Sequence, residues 1–468
     1  MKETLLTPEE LNQKMQSFAY SYHLVDVHRD RLSFYAIKPQ DYVKYFYAVP
    51  GIGLNYIMDG ELDKVDELIN SLPDTELFSF LKIGLWVVHP KLTWKHFIDI
   101  IEQLKKMDFR LKNVVLTAGR PSILNGFNDF TRISPLLESR KDLFIEDLSY
   151  LYEESICPAI YRMCLAEYYY QLNKLFDAEV LVSRTIKEFD KVSERRLLFV
   201  ALYLQSKILL AQGKIVDSRS YITNIRSFVK EKGAAEFSYN IDAAEIMTAL
   251  YECKHEIITA WLKKHAPDEF ADFNMLDTYR YMVKMRCYIV NKKYTAVVAL
   301  AEKMRPLLEE GKRHKDLCEL DLILAINFYR AQEKQLAFEA LSRALKTVSR
   351  RKYYRLVADE GSAVFPLLLE YNKEKGESDF LMMLIEMTRT MAINHPLYLQ
   401  SVYNNETFSQ METDILKLLE QGKTKEEISE YLFISVNTVK YHLKSIYAKL
   451  NVSAAHQAVW QARVMGII

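Results

Sequence analysis

The sequence predicts an all-α protein, in which a solenoid of helical repeats is followed by a small helical domain at the C-terminus. Only 13 Gly and 12 Pro occur in 468 residues, so few positions interrupt helices. A pattern of small and large residues recurs with a period near 40 between residues 155 and 350. An all-β sandwich or barrel would instead need a turn signal roughly every 8 to 12 residues.

The bulk composition narrows the class of protein further. A chain of this length predicts two to four domains, and 49% hydrophobic residues are enough to form cores. The 62 basic and 62 acidic residues cancel, so any surface for nucleic acid must be local. The N-terminus is charged and no segment reaches roughly 18 apolar residues, which predicts a cytoplasmic protein. The five cysteines are odd in number and contain no C-x-x-C pair, which predicts reduced core thiols.

The repeats share a register of small and large residues at offsets 0, 3, 12, 16 and 19. Copies start at residues 166, 206, 246, 285 and 325, and small residues let paired helices approach closely while large ones fill the groove. Gly213, at offset 7, predicts a tight turn between two helices. This resembles a tetratricopeptide-like (TPR-like) array, but the period exceeds the usual 34 residues and therefore predicts longer inter-helix loops. The first copy contains Ala166, Tyr169, Ala178, Val182 and Thr185, and the last contains Ala325, Phe328, Ala337, Leu341 and Ala344.

The flanking segments complete the predicted domain organisation. Residues 23–37 alternate apolar and polar side chains around a polar break, which predicts a β-hairpin within an N-terminal segment 1–50. A further helical pair is predicted around Gly60, so the repeat domain spans 51–390. Residues 391–404 contain Pro396 and lack a helical stripe, which predicts a linker to a domain at 405–468.

Local signals in the C-terminal domain predict a series of short helices. Ser409 with Glu412, and Thr424 with Glu427, match the S/T-x-x-E capping box at helix starts. A third helix, capped by Ser435, carries one apolar stripe. The stripe residues are Val439, Leu443, Ile446 and Leu450.

The opposite face of that third helix is predicted to be exposed, and it is the candidate DNA reader. It carries Asn437, Lys440, Tyr441 and Lys444, with Thr438 near the helix start. Residues 405–430 have seven acids and three bases, whereas 431–468 have four bases and no acid. On charge alone a solvated face explains these bases equally well. The order and spacing of the helices favour DNA recognition.

The segment LEQGKTKEEISEYLFISVNTVKYHLKSIYAKLNV is similar to the LuxR/GerE-type helix-turn-helix. This resemblance implies a four-helix DNA-binding domain whose third helix enters the major groove, with Lys440, Tyr441 and Lys444 facing bases. Ser435, Lys425 and Lys449 join Asn437 and Thr438 as further DNA-contacting candidates. The resemblance depends on Gly422, Glu427, Ile428, Leu432, Ile434, Ser435, Thr438, Val439, Lys440, His442, Ile446, Lys449, Leu450 and Val452.

The resemblance also implies a homodimer on double-stranded DNA. A fourth helix from about Ala454 to Met465, capped by Ser453 and ended by Gly466, would supply Gln457, Trp460 and Gln461 to the dimer interface. Family members usually have Arg where this chain has Met411 and Ala455, so either phosphate anchoring or a supporting salt bridge is expected to be weaker. His442 either contacts phosphate or packs inside the domain.

The region upstream resembles the end of the sensor array in MalT-like regulators, on the segment SRRKYYRLVADEGSAVFPLLLEY. Those proteins carry a nucleotide-binding module and a winged helix, but this sequence contains no G-x-x-x-x-G-K-[ST] loop. We therefore expect the ATPase to be absent. The predicted hairpin at 23–37 is interpreted as a remnant of the winged helix.

The sequence offers no pattern for catalysis, metal binding or a cofactor. It contains no H-E-x-x-H, G-x-S-x-G or G-x-G-x-x-G, so neither an enzyme nor a metal site is predicted. The abundant tyrosines either line a ligand groove or belong to the core. Two functions remain: a bacterial transcriptional regulator whose repeats sense a small molecule or protein partner, and a helical adaptor whose terminal domain no longer binds DNA.

Overall fold

The computed structural model describes residues 5–17, 23–106, 120–152, 154–191, 195–231, 237–400, 408–450, 452, 454–464 and 468. The structure is 77% helical, and the described residues form no β-strand. The predicted all-α fold is confirmed.

Helices of six to thirteen residues, together with one of five, precede the repeats and surround short 3-10 turns. Their bounds are α1 Pro8–Gln16, α2 Leu24–Arg29, α3 Arg31–Tyr35, α4 Val49–Asp59, α5 Leu62–Ser71, α6 Glu76–Val88, α7 Trp94–Lys105 and α8 Lys141–Leu151.

The hairpin predicted for residues 23–37 is wrong, because these residues form α2 and α3. One side of the two short helices is buried and carries Leu24, Val27 and Phe34. The spacing of these apolar residues fits a helix as well as it fits the alternation of a strand. With both strands missing, the structure gives no support to a winged-helix remnant here.

One apolar cluster joins α1 to α6 and therefore crosses residue 50. Leu11 and Phe34 pack in the same cluster as Ile57 and Leu85. The predicted boundary between an N-terminal segment and the repeat domain lies inside this cluster. The turn predicted at Gly60 is confirmed, with φ at 80° between α4 and α5.

Five antiparallel helix pairs form the repeat array, in the register that the sequence predicts. The pairs are α9 Cys157–Gln171 with α10 Leu175–Lys191, α11 Arg195–Ala211 with α12 Ile215–Glu231, α13 Ser238–Tyr251 with α14 His255–Lys264, α15 Thr278–Val290 with α16 Tyr294–Glu310, and α17 His314–Arg330 with α18 Lys334–Arg351.

The small residues of the register lie where the paired helices touch. Ala166 and Ala178 have no exposed surface, and neither do Ala325 and Ala337 in the last pair. Close contact between two helix backbones requires small side chains. The spacing of the small residues in the sequence therefore marks where the paired helices pack together.

Each pair turns over a three-residue connection whose middle residue has a left-handed backbone. The middle residues of successive turns are separated by 40, 40, 39 and 40 residues, and each lies at offset 7 of the register. Only one of them is glycine, the residue that most readily adopts this backbone. The prediction of longer inter-helix loops from the 40-residue period is therefore wrong for the turns within pairs. The extra residues lengthen most of the helices instead, to as many as 18 residues. The turn residues are Asn173, Gly213, Cys253, Lys292 and Gln332.

Three helices close the array after the last pair: α19 Tyr354–Ala358, α20 Gly361–Lys375 and α21 Asp379–Asn394. The linker predicted to begin at Met391 is partly wrong, because α21 continues to Asn394 and Tyr398 is buried against the array. Residues 401–407 of that linker lie outside the described residues.

A loop from residue 120 to 129 connects the N-terminal cluster to the inner face of the array. Arg313, at the start of α17, donates hydrogen bonds to the carbonyl oxygens of Asn125 (3.2 Å) and Phe127 (2.8 Å). The Arg313 side chain is buried, and its charge is balanced by Asp316 at 2.8 Å. These contacts hold the loop at residues 120–129 against the start of α17.

Candidate nucleic-acid interface

The C-terminal domain is a bundle of four helices with its own core. Its helices are α22 Gln410–Glu420, α23 Lys425–Tyr431, α24 Val436–Leu450 and α25 Ala455–Val464. The stripe predicted on α24 is buried, and it packs against Ile415 and Ile428 and against Ala458 and Ala462 of α25. Leu416 is buried deeper than Leu419.

Both predicted capping boxes are formed. The Ser409 hydroxyl accepts from the Glu412 amide at 3.2 Å, while the Glu412 carboxylate accepts from the Ser409 amide at 2.8 Å. Thr424 and Glu427 make the same reciprocal pair at the start of α23. Each box therefore satisfies two of the backbone amides that a helix start leaves without partners, those of the capping residue and of the third helical residue.

Ser435 immediately precedes α24, and its side chain caps the start of that helix. Its hydroxyl accepts from the Thr438 amide at 3.0 Å and lies 2.8 Å from the Thr438 hydroxyl. Both side chains thus stabilise the N-terminus of the third helix. The same end of the helix is the positive end of the helix dipole, which favours an anion.

The polar face of α24 is open to solvent. Lys440, Tyr441 and Lys444 are exposed, and Asn437 lies on the same side one turn earlier. Tyr441 is 71% exposed although it is a large aromatic side chain, so packing inside this domain does not explain it. Lys440 and Lys444 form no ion pair among the described residues, which leaves two ammonium groups one helical turn apart.

Lys449, also predicted as a DNA contact, differs from these lysines because it is paired within the domain. Its Nζ lies 2.7 Å from Glu412 Oε2, and the side chain is 13% exposed. The ammonium also lies over the Phe408 ring. Lys449 thus connects α24 to α22.

Lys425, at the first position of α23, is exposed, as is the neighbouring Thr424. Lys423 lies just before the helix and pairs weakly with Glu427, at 3.6 Å. Lys425 stands outside the α24 face, so it suits a phosphate contact better than a base contact.

An exposed aromatic side chain beside α24 escaped the sequence analysis. Phe433 is 96% exposed and has a left-handed backbone, with φ at 54°, in the turn between α23 and α24. Phe433 and Ile434 are adjacent apolar residues in the sequence, but of the two only Ile434 packs against the core. No periodicity could reveal this, since the turn geometry decides which of the two residues points outward.

The candidate dimer residues lie on α25, close to the repeat array. Gln457 is exposed and Trp460 is 45% exposed, and both line a cavity of ≈ 950 Å³ together with Phe365 and Arg389 of the array. Gln461 belongs to the same helix, whereas the predicted cap Ser453 and end residue Gly466 lie outside the described residues. Of the two unusual positions, Met411 packs against the domain core and Ala455 begins α25.

Comparison with known proteins gives two family matches. Residues 153–374 match the MalT-like TPR region, and residues 406–462 match the bacterial regulatory proteins of the luxR family. The first range covers the five helix pairs, and the second covers α22 to α24 and most of α25. The two predicted resemblances are confirmed.

Individual relatives match parts of the chain. The transcriptional activator protein EsaR of Pantoea stewartii is 35% identical over 105 residues, which are 22% of this chain and 38% of EsaR. The transcriptional regulatory protein LiaR of Bacillus subtilis is 46% identical over 54 residues, 12% of this chain and 26% of LiaR. The regulator MalT of Klebsiella pneumoniae is 21% identical over 291 residues, 58% of this chain and 32% of MalT. The chain thus spans well under half the length of each.

Proposed function

We propose that this chain, which joins a MalT-like TPR region to a DNA-binding domain of the luxR family, is a bacterial transcriptional regulator. In this proposal α24 enters the major groove of promoter DNA and Lys440, Tyr441 and Lys444 face the bases. Asn437, Thr438 and Ser435 lie at the leading end of that helix, and Lys425 contacts the phosphate backbone. The exposed α24 face carries the proposal.

The distribution of acidic and basic residues within the C-terminal domain supports the proposal that α24 binds DNA. The four basic residues of 431–468 have no acidic residue beside them in sequence, and Lys449 and Arg463 pair with Glu412 and Glu420 of α22. The remaining two lysines are those on the α24 face, so the positive charge left over is concentrated where DNA would dock.

The repeat array is proposed to sense a small molecule or protein partner and to control DNA binding or dimerisation through α25. Gln457 and Trp460 lie beside the array in this structure, and a dimer interface on α25 needs the same surface. A shift of the array relative to the DNA-binding domain would therefore change the surface that is free for dimerisation. The array itself is proposed to have no catalytic role.

A gel-shift titration of the full chain against promoter fragments, at two salt concentrations, tests the proposal. We expect a specific complex that weakens steeply with salt, since basic side chains release counterions from phosphate. The adaptor alternative, suggested by Met411 and Ala455, predicts no specific complex at either salt concentration. The double variant Lys440→Ala with Lys444→Ala is the negative control, and Lys346→Ala on the outer side of α18 is the matched control.

A further inference from the structure

Two basic runs of the sequence lie in the last helix pair of the array, outside the C-terminal domain. Residues 312–315 are four consecutive basic residues, and residues 350–352 are three. The first run leads into α17, and the second ends α18. Because these two helices are antiparallel, the start of one lies beside the end of the other. The fold therefore brings two distant basic runs to the same edge of the array.

His314, the first residue of α17, shows that the two runs are adjacent. Partial burial lowers the pKa of its imidazole, and the Asp129 carboxylate opposes that change. The charges of Arg351, Arg350 and Arg132 lower the pKa as well. Three arginines from other parts of the chain thus lie within electrostatic range of the start of α17.

Part of the first run is balanced inside the array. Arg313 pairs with Asp316 at 2.8 Å. Burial lowers the pKa of the Lys315 ammonium, and the Glu167 carboxylate opposes that change. These two basic residues therefore belong to the interior and add nothing to the outer surface.

The remaining basic side chains form an exposed surface, which we call the basic patch. Lys312, Arg350 and Lys352 are exposed, and Arg351 is partly exposed. None of these four forms an ion pair with another residue in the part of the chain that the structure describes. The basic patch consists of Arg132, Lys312, His314, Arg350, Arg351 and Lys352.

The carboxylates beside the basic patch do not neutralise it. Asp129 accepts from the Thr131 amide at 3.1 Å and from the Lys315 amide at 2.9 Å, so backbone groups already engage it. Glu310 is exposed at the end of α16, two residues before Lys312. The arginines and lysines of the patch outnumber these two carboxylates, which leaves a local excess of positive charge in a chain without net charge.

Helix electrostatics explain one of the basic runs but not the other. Arg350 and Arg351 lie in the last turn of α18, where the negative end of the helix dipole favours cations. Lys312 and His314 lie at the start of α17, where the positive end of the dipole disfavours them. Helix stability therefore gives no reason for cations at that position, whereas a bound polyanion gives one.

The basic patch lies within reach of DNA held by the C-terminal domain. α25 lies beside the turn between α17 and α18, where it shares a cavity with Arg330 and Lys334. The patch is at the opposite ends of the same two helices, about 25 Å away along the 17 residues of α17. One turn of B-DNA measures about 34 Å, so a duplex that continues past the operator can span this distance.

We propose that the basic patch contacts the phosphate backbone of DNA that flanks the operator. The contact adds affinity without sequence preference, because phosphates carry no base identity. The inference rests on the function proposed above, in which α24 binds the operator. Since the same chain then holds the DNA at two places, the second contact is intramolecular and needs little affinity of its own.

Salt titrations of the full chain on two duplexes test the proposal. One duplex is the operator alone, about 20 bp long and obtained by binding-site selection, and the other extends it by about 20 bp on each side. We expect the wild type to bind the longer duplex more tightly and with a steeper dependence on salt. Binding to the short duplex tests the regulator, and the difference between the duplexes tests the basic patch.

The double variant Lys312→Gln with Arg350→Gln removes one cation from each run. On the longer duplex it should bind about tenfold more weakly at low salt, with a salt slope reduced by about two. On the operator alone it should bind as the wild type does. Lys187→Gln with Lys191→Gln is the matched control, because these exposed lysines lie at the end of α10, the corresponding helix of the first pair. The control should match the wild type on both duplexes.

Three results would overturn the proposal: an unchanged salt slope for the double variant on the longer duplex, an equal loss in the control variant, or equal weakening on both duplexes. An acidic protein as the partner of the patch predicts the first of these. If the wild type binds neither duplex specifically, the regulator is refuted and this inference with it. Specific binding of the operator without any effect of duplex length refutes the flanking contact alone.

Discussion

Glu412 and Lys449 join the first and third helices of the DNA-binding domain, with their charged atoms 2.7 Å apart. Glu412 also completes the capping box with Ser409 and accepts from the Ser445 hydroxyl at 2.7 Å. Burial alone would raise the pKa of Glu412, but Lys449 and the hydroxyl and amide donors lower it to about 2. One carboxylate therefore fixes the start of α22 and the position of α24.

This pair predicts an acid-sensitive domain. Because the folded-state pKa of Glu412 lies below its ordinary value of 4.5, its stabilisation is complete above that value and is lost as the pH falls towards 2. Glu412→Gln should reduce the free energy of unfolding of residues 404–468 by about 2 to 3 kcal/mol at pH 7. Urea titrations at neutral and acidic pH measure this. The exposed Glu426→Gln is the control, and equal losses in both variants would contradict the assignment.

Residues 404–468 should fold without the repeat array. The capping boxes and the buried stripe of α24 are local to this segment. Val439→Asp should unfold the fragment, because an unpaired buried carboxylate costs several kcal/mol in a domain whose stability is roughly 5 kcal/mol. Circular dichroism gives the answer, and a random-coil spectrum for the wild-type fragment would show that the boundary or the core is misassigned.

Substitutions on α24 and α23 should affect DNA binding in different ways. Lys440→Ala or Lys444→Ala should cost about 1 to 3 kcal/mol on the cognate site and little on random DNA. Lys425→Ala should weaken all sequences alike and reduce the salt slope by about one. Binding-site selection followed by salt titration distinguishes the two effects. If Lys440→Ala retains the wild-type sequence preference, α24 is not the reader.

Two glycines, Gly213 in a turn between helices and Gly84 inside a helix, should respond to alanine in opposite directions. Gly213 has φ at 80°, and a Cβ there would lie 3.1 Å from the Asn394 side chain. Gly213→Ala should therefore destabilise the protein by about 1 to 2 kcal/mol. Gly84 lies inside α6 with no atom within 4 Å of an added Cβ, so Gly84→Ala should stabilise it by about 0.5 to 1 kcal/mol. Calorimetric melting of both variants makes the comparison, and the same sign of change for both would refute it.

Local periodicity determined the features that the sequence predicted correctly. The buried stripe of α24 and the capping residue Ser409 follow from side-chain spacing along one helix. The repeat register is likewise local, because each small residue reports contact within its own pair. The left-handed turn at offset 7 was predicted only at Gly213, since Lys292 and Gln332 adopt the same backbone although neither residue type favours it.

The tertiary structure alone decided which charged residues face each other across distant segments. Lys444 and Lys449 are both lysines of the same helix, so the sequence does not distinguish them. In the structure Lys449 forms an ion pair with Glu412, whereas Lys444 is exposed. Arg286 and Glu360 lie 74 positions apart and form an ion pair only because separate helices of the array pack against each other. Ion pairing and burial depend on three-dimensional distance, which periodicity along the chain does not encode.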